Sequence, residues 1–569
     1  MNSNLEGDIN NLEAELTICK APDKDNEKFN LQIKLGDLIE KSGDIDRSLE
    51  YFKSAYDTAV ILEDKKYQVD ALVKITEGYF YKGEIEESIK YAEIAEELLK
   101  NLDYIKGKLD ISLYLLKVYY MKNEYYKARE IGNAALKLCT DEYIIYKGRI
   151  LNALSNLYRE ITSVDEHLDL LQQALSCFES ANELRGILGV LNNIGVVYAE
   201  KLQNNEKALE FFFKLKERSE DSNYSEFNVF AHVNIGEAYF KCLKYEEALY
   251  WCKLALKKAQ GAQLEAMVFY SYVILTNINL KLNNYKEAHL YFNLSKEELK
   301  TYPDQGAILP WFYKCSSSLF LEFGDLPKAK HNIKLALDIL GDEQSIIKLN
   351  TGIVYEFMKL KAAKNKTEIL GALEGIKYLL SKYKNPEDIS NIVCDVVLQL
   401  MDLGESELAS KLVDEYKDIR ADNGDTVLKR NYIDALRYNN EEKEQILNNV
   451  LGLAVEIKNN KLHMKISSSL GEYYFKVYNY EKAITSYLDA CRQLKKIVIS
   501  VPQQFRVSYI NFNNLLKYYN ILVRIKEDYS EVKGDTYKKY DYINDEAELI
   551  EFFEELDKIL SVRIKACNL

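Results

Sequence analysis

The sequence predicts an all-α protein, an α-solenoid of about twelve helical hairpins with a capping helix at each end. Three observations predict it. A hairpin-sized pattern recurs about every 40 residues, each period holds two amphipathic helices, and helix breakers are scarce. The 569 residues include only 6 prolines and 24 glycines. Because one helical pair buries too little surface to fold alone, neighbouring pairs are expected to stack into a continuous core.

The hairpin is clearest in the segment Val229–Ala259. Gly236 and Tyr239 fall on one face of its first helix. Ala248 and Ala255 lie seven residues apart on one face of the second helix. Small residues on facing surfaces allow two helices to approach closely, so this segment is expected to be a tightly packed pair.

A small residue that opens each second helix marks the repeat along the chain. It recurs at intervals of 39 to 41 residues as far as Ala409. The next clear copy, Ala483, lies 74 residues further on, which fits two repeats with Ile446 as a poor middle member. The positions are Ser48, Ser88, Ala128, His167, Ala208, Ala248, Ala288, Ala329, Ile369, Ala409, Ile446 and Ala483. The regular spacing is the strongest observation for a repeat fold.

Taken in order, the chain divides into four predicted parts. Residues 1–28 form a capping half-hairpin, and residues 29–500 form the repeat array. Residues 501–527 read as one or two amphipathic helices that close the carboxyl end. Residues 528–569 are expected to hold a polar, mobile linker followed by an amphipathic terminal helix with apolar residues along one side.

The hairpins resemble the tetratricopeptide repeat. Its Leu-Gly pair, later aromatic residue and small-aromatic-small second helix are matched in three copies, by Ile194, Gly195, Tyr198, Ala208 and Phe212, by Ile235, Gly236, Tyr239, Ala248 and Ala255, and by Leu470, Gly471, Tyr474, Ala483, Tyr487 and Ala490. The period is 40 residues where the family has 34, and the usual terminal proline is absent. Copies near 350–389 and 427–463 match poorly.

The longer period is similar to the extended repeats of kinesin light chains and of bacterial peptide-sensing regulators. The resemblance implies a right-handed superhelix with a peptide-binding concave face. In this family the first helix of each pair supplies the concave face. Its inward places are occupied here by Asn152, Asn156, Asn192, Asn193, Asn234 and Asn277. An asparagine amide both donates and accepts, so it can hold the backbone of an extended peptide.

Charged and aromatic residues near these asparagines complete the predicted site. Arg149 and Arg159 can meet a carboxylate, and Phe230, Tyr270 and Trp311 can form apolar pockets. The competing interpretation is structural, because asparagine is abundant in this chain and an inward amide can simply be hydrated. Likewise Phe230 and Trp311 can be packing residues, and most charged positions are expected to be solvated.

Composition and charge argue against several classes of function. The net charge is −14 and no basic stripe occurs, so nucleic acid is not an expected partner. No stretch is long and apolar enough to span a membrane. The nine cysteines are scattered and never spaced as CxxC, which indicates reduced thiols in the cytoplasm. No secretory signal is visible at the amino terminus.

The sequence also contains no pattern typical of an enzyme. It has no phosphate loop, no dinucleotide-binding glycine motif, no HExxH and no GxSxG. The five histidines show no metal-ligand spacing, so neither a metal nor a cofactor is expected. The sequence therefore favours a non-enzymatic scaffold that binds a protein or peptide in its concave groove.

Two alternatives remain open at this stage. The chain can be the sensor of a bacterial signalling or transcription-control system whose effector is on another chain. The terminal helix can also dock on the array and compete with a partner, although a simple capping role explains its pattern equally well. The oligomeric state does not follow from the sequence.

Overall fold

The computed structural model describes residues 2–19, 25–161, 164–220, 222–301, 306–341, 345–419, 424–438, 441–529 and 537–561. Within these ranges the regular structure is helical and no strand occurs. Contacts divide the chain into two compact units, unit 1 (Met1–Val197) and unit 2 (Tyr198–Leu569). No helix in the described part is long and apolar enough to cross a membrane.

Unit 1 contains a leading helix followed by hairpins. Its helices are α1 (Asn2–Ile18), α2 (Asp25–Lys41), α3 (Ile45–Ile61), α4 (Lys65–Lys82), α5 (Ile85–Leu99), α6 (Ile105–Met121), α7 (Tyr125–Leu136), α8 (Ile144–Ile161), α9 (Val164–Ser180) and α10 (Leu184–Glu200), the last of which carries the boundary. Helix α1 packs on α2, and each later even-numbered helix begins a new hairpin.

Unit 2 continues the hairpins and ends in three further helices. They are α11 (Asn205–Ser219), α12 (Ser225–Lys241), α13 (Tyr245–Ala262), α14 (Glu265–Lys281), α15 (Tyr285–Thr301), α16 (Leu309–Glu322), α17 (Leu326–Leu340), α18 (Ile346–Ala362), α19 (Lys366–Leu380), α20 (Pro386–Asp402), α21 (Ser406–Glu415), α22 (Gly424–Arg437), α23 (Glu441–Glu456), α24 (Asn460–Lys476), α25 (Tyr480–Ser500), α26 (Arg506–Phe512), α27 (Leu516–Tyr529) and α28 (Glu546–Ser561). Helices α2 to α25 make twelve consecutive pairs, which confirms the predicted α-solenoid.

A left-handed residue in the turn between paired helices has the same period as the hairpins. It recurs at Gly83, Asn123, Leu243 and Asn283, all with φ between 58° and 79°. In the turn of the clearest hairpin, Leu243 N–H donates to Phe240 and the next amide donates to Tyr239, which satisfies the last carbonyls of α12. This turn stops one helix and starts the next within a few residues.

The small residue that follows each turn is where paired helices meet. Ser48, Ser88 and the alanines of this series are all 0% exposed, so the predicted contact position is confirmed. In the degenerate hairpin α22–α23 the predicted residue was wrong by one. Leu447 and Ala454 are fully buried seven residues apart, as Ala248 and Ala255 are, whereas Ile446 is only partly buried.

The close approach of paired helices is most evident at Gly236 in α12. A Cβ atom at this position would lie 2.4 Å from Cys252 Sγ and 3.1 Å from Cys252 N of α13. Backbone and sulfur occupy the space in which a side chain would stand. Gly236 is therefore required by packing, as the sequence pattern indicates.

The carboxyl-terminal helices are built into the core of unit 2. Tyr509 of α26 is fully buried and donates to the Tyr285 hydroxyl, and Ser508 Oγ donates to Phe323 O at 2.7 Å. The segment 537–544 was expected to belong to a mobile linker. Instead Tyr540 and Ile543 are buried, since Asn520 and Asn511 hydrogen-bond their backbone. Residues 530–536 lie outside the described ranges.

The terminal helix α28 packs on α25 through a buried apolar face. Leu549, Phe552, Leu556 and Ile559 are at most 2% exposed. The apolar stripe predicted for the terminal helix is therefore buried within unit 2.

Candidate functional site

The polar face of unit 1 joins two of the predicted asparagines. Asn193 Nδ2 of α10 donates to Asn152 Oδ1 of α8 at 3.0 Å, and both side chains are partly buried. Asn156 and Arg149, also on α8, are exposed, and Asn192 is partly buried. The side chain of Arg159 lies outside the described residues. The first helices of two successive hairpins, α8 and α10, are thus joined by an amide–amide hydrogen bond.

Within unit 2, hairpins that are far apart in sequence contact each other. The backbone amides of Lys384 and Asn385, in the turn before α20, donate to Gln203 Oε1 at 2.8 and 3.0 Å. Asn385 Nδ2 also approaches Gln203 O at 3.5 Å. A single amide side chain therefore joins turns that are about 180 residues apart in sequence.

A buried carboxylate forms a second set of contacts between distant hairpins of unit 2. Glu322 at the end of α16 accepts from Lys461 Nζ of α24 at 2.6 Å and from Tyr285 Oη at 2.9 Å. Burial alone would raise the pKa of Glu322, but Lys461 and then Lys361 outweigh it and lower the pKa to about 2. Glu322 therefore stays ionised and holds three hairpins together.

The hairpins of unit 2 line a partly open cavity of about 470 Å³. Its wall is formed mainly by the first helices of successive hairpins, from α12 to α24, together with the turn after α26 and part of α27. Two of the predicted site residues, Asn277 of α14 and Trp311 of α16, lie in this wall. The volume falls within the roughly 300–1,000 Å³ of small-molecule sites.

Most charges in the cavity wall are paired. Lys429 lies 2.9 Å from Asp395 and 3.0 Å from Asp425, and Lys241 lies 2.8 Å from Glu237. Burial would raise the pKa of Glu237, but Lys241 lowers it overall. These pairs keep both signs of charge in a poorly solvated interior at moderate cost. These buried pairs are exceptions to the expectation that most charged positions of the array are solvated.

Lys314 of α16 differs from these lysines. It is 8% exposed, and its Nζ lies 4.6 Å from the centre of the Trp311 ring. Within the described ranges no carboxylate forms an ion pair with it. Burial, reinforced by Lys281 and Lys241, lowers its pKa from 10.5 to about 8. Lys314 therefore carries a poorly compensated positive charge at the cavity wall.

The remaining predicted residues of unit 2 are not among those that line the cavity. Tyr270 Oη donates to Glu237 Oε2 at 2.6 Å, and its ring stands edge-on to Trp311 with centroids 6.5 Å apart. Phe230 packs against Phe227, with centroids 6.0 Å apart. Asn234 is partly buried and is not among the wall residues.

Lys241, Glu237 and Lys314 were not predicted as site residues from the sequence. One signal was available for Lys314: it follows Trp311 by three residues, so both must share a face of α16. In the described part of the chain no group of three His, Cys, Asp or Glu side chains is arranged to hold a metal ion. No disulfide joins the eight cysteines found there.

No family model and no curated protein matches the chain. Among solved structures, it is similar to a Rap protein complexed with competence and sporulation factor, at 14% identity and a TM-score of 0.41, over 69% of this chain and 97% of that one. It is also similar to aspartyl phosphate phosphatase F from Bacillus subtilis, at 12% identity and a TM-score of 0.41, over 62% of this chain and 94% of that one.

A third similar structure is the APC/C hetero-tetramer Cut9–Hcn1, at 12% identity and a TM-score of 0.44, over 99% of this chain and 94% of that one. At such identities and TM-scores, none of these proteins assigns a function to this chain.

Proposed function

We propose that the protein is a non-enzymatic binding scaffold and that unit 2 captures a short peptide in its inner cavity. The observation that carries the proposal is the cavity itself, about 470 Å³ of space lined by the first helices of the hairpins. Its wall combines an amide, Asn277, with a large aromatic ring, Trp311.

This combination suits a peptide. The amide of Asn277 can donate to a backbone carbonyl and accept from a backbone N–H, whatever the side chains of the ligand. Trp311 offers an apolar face for one side chain. The size of the cavity favours a segment of a few residues over a long extended chain.

Affinity for a random pentapeptide pool tests the proposal. We expect Asn277→Ala and Trp311→Ala each to weaken binding at least tenfold. The controls remove an aromatic ring and an amide from exposed positions outside the cavity wall. They are Tyr250→Ala in α13, at a side chain that is 62% exposed, and Asn293→Ala in α15. Unchanged affinity in both wall variants, with intact far-UV circular dichroism, would contradict the proposal.

The asparagines of unit 1 are proposed as separate peptide contacts. The Asn152–Asn193 hydrogen bond leaves each amide with further donor and acceptor capacity. In the same pool assay Asn193→Ala is expected to weaken any binding that persists in Trp311→Ala. If the Trp311→Ala protein and the double variant Asn193→Ala/Trp311→Ala bind the pool equally, unit 1 does not contribute to peptide binding.

A second candidate function is that of a sensor whose effector lies on another chain. It is favoured by the hydrogen bonds from the Lys384 and Asn385 amides to Gln203, which join two distant turns of unit 2 and can therefore report whether the unit is closed. A ligand that binds the closed form would shift the population towards it. Hydrogen exchange at the Lys384 and Asn385 amides is then expected to slow when peptide binds. Exchange rates independent of peptide would argue against the sensor.

A further inference from the structure

Lys314 is the buried lysine of the cavity wall that has no carboxylate partner in the described part of the chain. It lies on α16 one turn after Trp311, and only 8% of its surface is exposed. Its ammonium group stands over the Trp311 ring at 4.6 Å. A cation–π contact offsets part of the cost of burial, but it leaves the positive charge uncompensated.

The neighbouring carboxylate is already in use. Glu237 accepts a hydrogen bond from Tyr270 Oη at 2.6 Å and forms an ion pair with Lys241 at 2.8 Å. Lys241 also reaches the Trp311 ring, at 6.0 Å from its centre. Two ammonium groups therefore share one aromatic ring, and only one of them has a carboxylate.

The surroundings do not supply another negative charge. Lys281 of α14 also lies in the cavity wall and adds to the positive potential at Lys314. Asp388 is in the wall as well, but the lysine that acts on its carboxyl group is Lys241 and not Lys314. The space next to Lys314 therefore favours the binding of an anion over that of a neutral group.

We propose that the cavity of unit 2 binds a peptide carrying a carboxylate, which pairs with Lys314 while an adjacent apolar group packs on Trp311. This inference rests on the proposed peptide-binding function and names the chemical class of its ligand. The carboxylate can belong to an acidic side chain or to the carboxyl terminus of the peptide. Both sources present the same oxygen acceptors to the ammonium group.

Trp311 supplies the means of testing the proposal. The chain has two tryptophans, so Trp251→Phe leaves Trp311 as the sole tryptophan and as a reporter next to Lys314. Three acetylated pentapeptide pools serve as probes. One contains a single glutamate and ends in an amide, one has glutamine in its place and ends in an amide, and one has glutamine and a free carboxyl terminus.

We expect at least one pool that carries a carboxylate to bind ten times more tightly than the neutral glutamine amide pool. The pool that gains identifies the source of the carboxylate. Lys314→Met is expected to remove the difference between pools. The control Lys257→Met, which alters an exposed lysine of α13, is expected to keep it.

The failures of the two proposals are distinguishable. If the neutral pool binds as tightly as both carboxylate pools, the inference is overturned while peptide binding stands. If Lys314→Met keeps the preference, Lys314 is not the partner and the inference is likewise overturned. If no pool binds, the proposed function fails and the inference fails with it. Calorimetry on the unsubstituted chain repeats the comparison of pools without relying on any variant's folding.

Discussion

Replacing Lys314 with methionine is expected to stabilise the unliganded protein at pH 7. Methionine has a similar length and removes the charge that the cavity wall leaves unpaired. The pKa of Lys314 falls from 10.5 to about 8, chiefly through burial. At about 1.4 kcal/mol per pKa unit, this shift corresponds to a penalty of about 3 kcal/mol for the protonated form. The loss of the cation–π contact lowers the expected gain to about 1–3 kcal/mol.

The sign of the pH dependence follows from the direction of the shift. Because the pKa is lower in the folded protein, the unfolded chain binds more protons between pH 8 and pH 10.5. The free energy of unfolding of the wild type therefore rises as the pH increases from 8 to 10.5. The stability difference in favour of Lys314→Met is full below pH 8 and has largely disappeared near pH 10.5. Glu237 and Lys241 of α12 and Lys281 of α14 face position 314 in both proteins. Their own titration therefore largely cancels in the difference between the two unfolding free energies.

Urea unfolding at pH 7 and pH 10 measures this advantage. Fluorescence of Trp311 in the Trp251→Phe background reports on the repeat that contains Lys314, which matters because long repeat arrays can unfold in stages. Lys429→Met is the matched control in the same cavity. It leaves Asp395 and Asp425 without their lysine, so it is expected to destabilise by about 3–5 kcal/mol. A loss of stability in Lys314→Met at pH 7, or a gain of equal size at pH 10, would refute the reasoning.

Two further predictions concern the repeat and its cap. Gly236→Ala is expected to cost about 1–3 kcal/mol in urea unfolding, since its Cβ would lie 2.4 Å from Cys252 Sγ, whereas Gly261→Ala meets nothing within 4 Å and is expected to be near neutral. Phe552→Ala in α28 removes a fully buried ring and is expected to cost about 3–5 kcal/mol, while Ile550→Ala, at a side chain that is 56% exposed, changes little. Equal effects within either pair would contradict the packing described for α12 or α28.

The repeat was predictable from sequence because its determinants are local. The small residue after each turn, such as Ala248, recurs every 40 residues and is fully buried wherever the pattern is clear. In the degenerate hairpin the pattern missed Leu447 by one position, since an apolar pair is ambiguous about which member faces its partner. Local spacing thus predicts the hairpins, but it does not determine which single residue is buried where the repeat is weak.

The cavity was only partly predictable. Asn277 was singled out by its inward place on a first helix and Trp311 as a nearby aromatic residue, and both lie in the wall of the cavity in unit 2. The contact of Gln203 with Asn385 depends on curvature summed over several hairpins, and no local pattern encodes it. The spacing of three residues places Lys314 on the same face of α16 as Trp311, but it does not tell whether that face is buried.

Site-specific cross-linking tests the central claim most directly, namely that the inner cavity of unit 2 is a binding site for acidic peptides. The photoreactive residue p-benzoylphenylalanine replaces Phe357, an aromatic wall residue of α18, in one protein and Tyr250, which is 62% exposed on α13, in another, so that Trp311 and Lys314 stay intact. Both are irradiated with an equimolar mixture of the three pentapeptide pools, and the adducts are sequenced by mass spectrometry. We expect adducts at position 357, enriched in peptides that carry a carboxylate, and little labelling at position 250. Equal yields at the two positions, or no adduct at position 357, would contradict it.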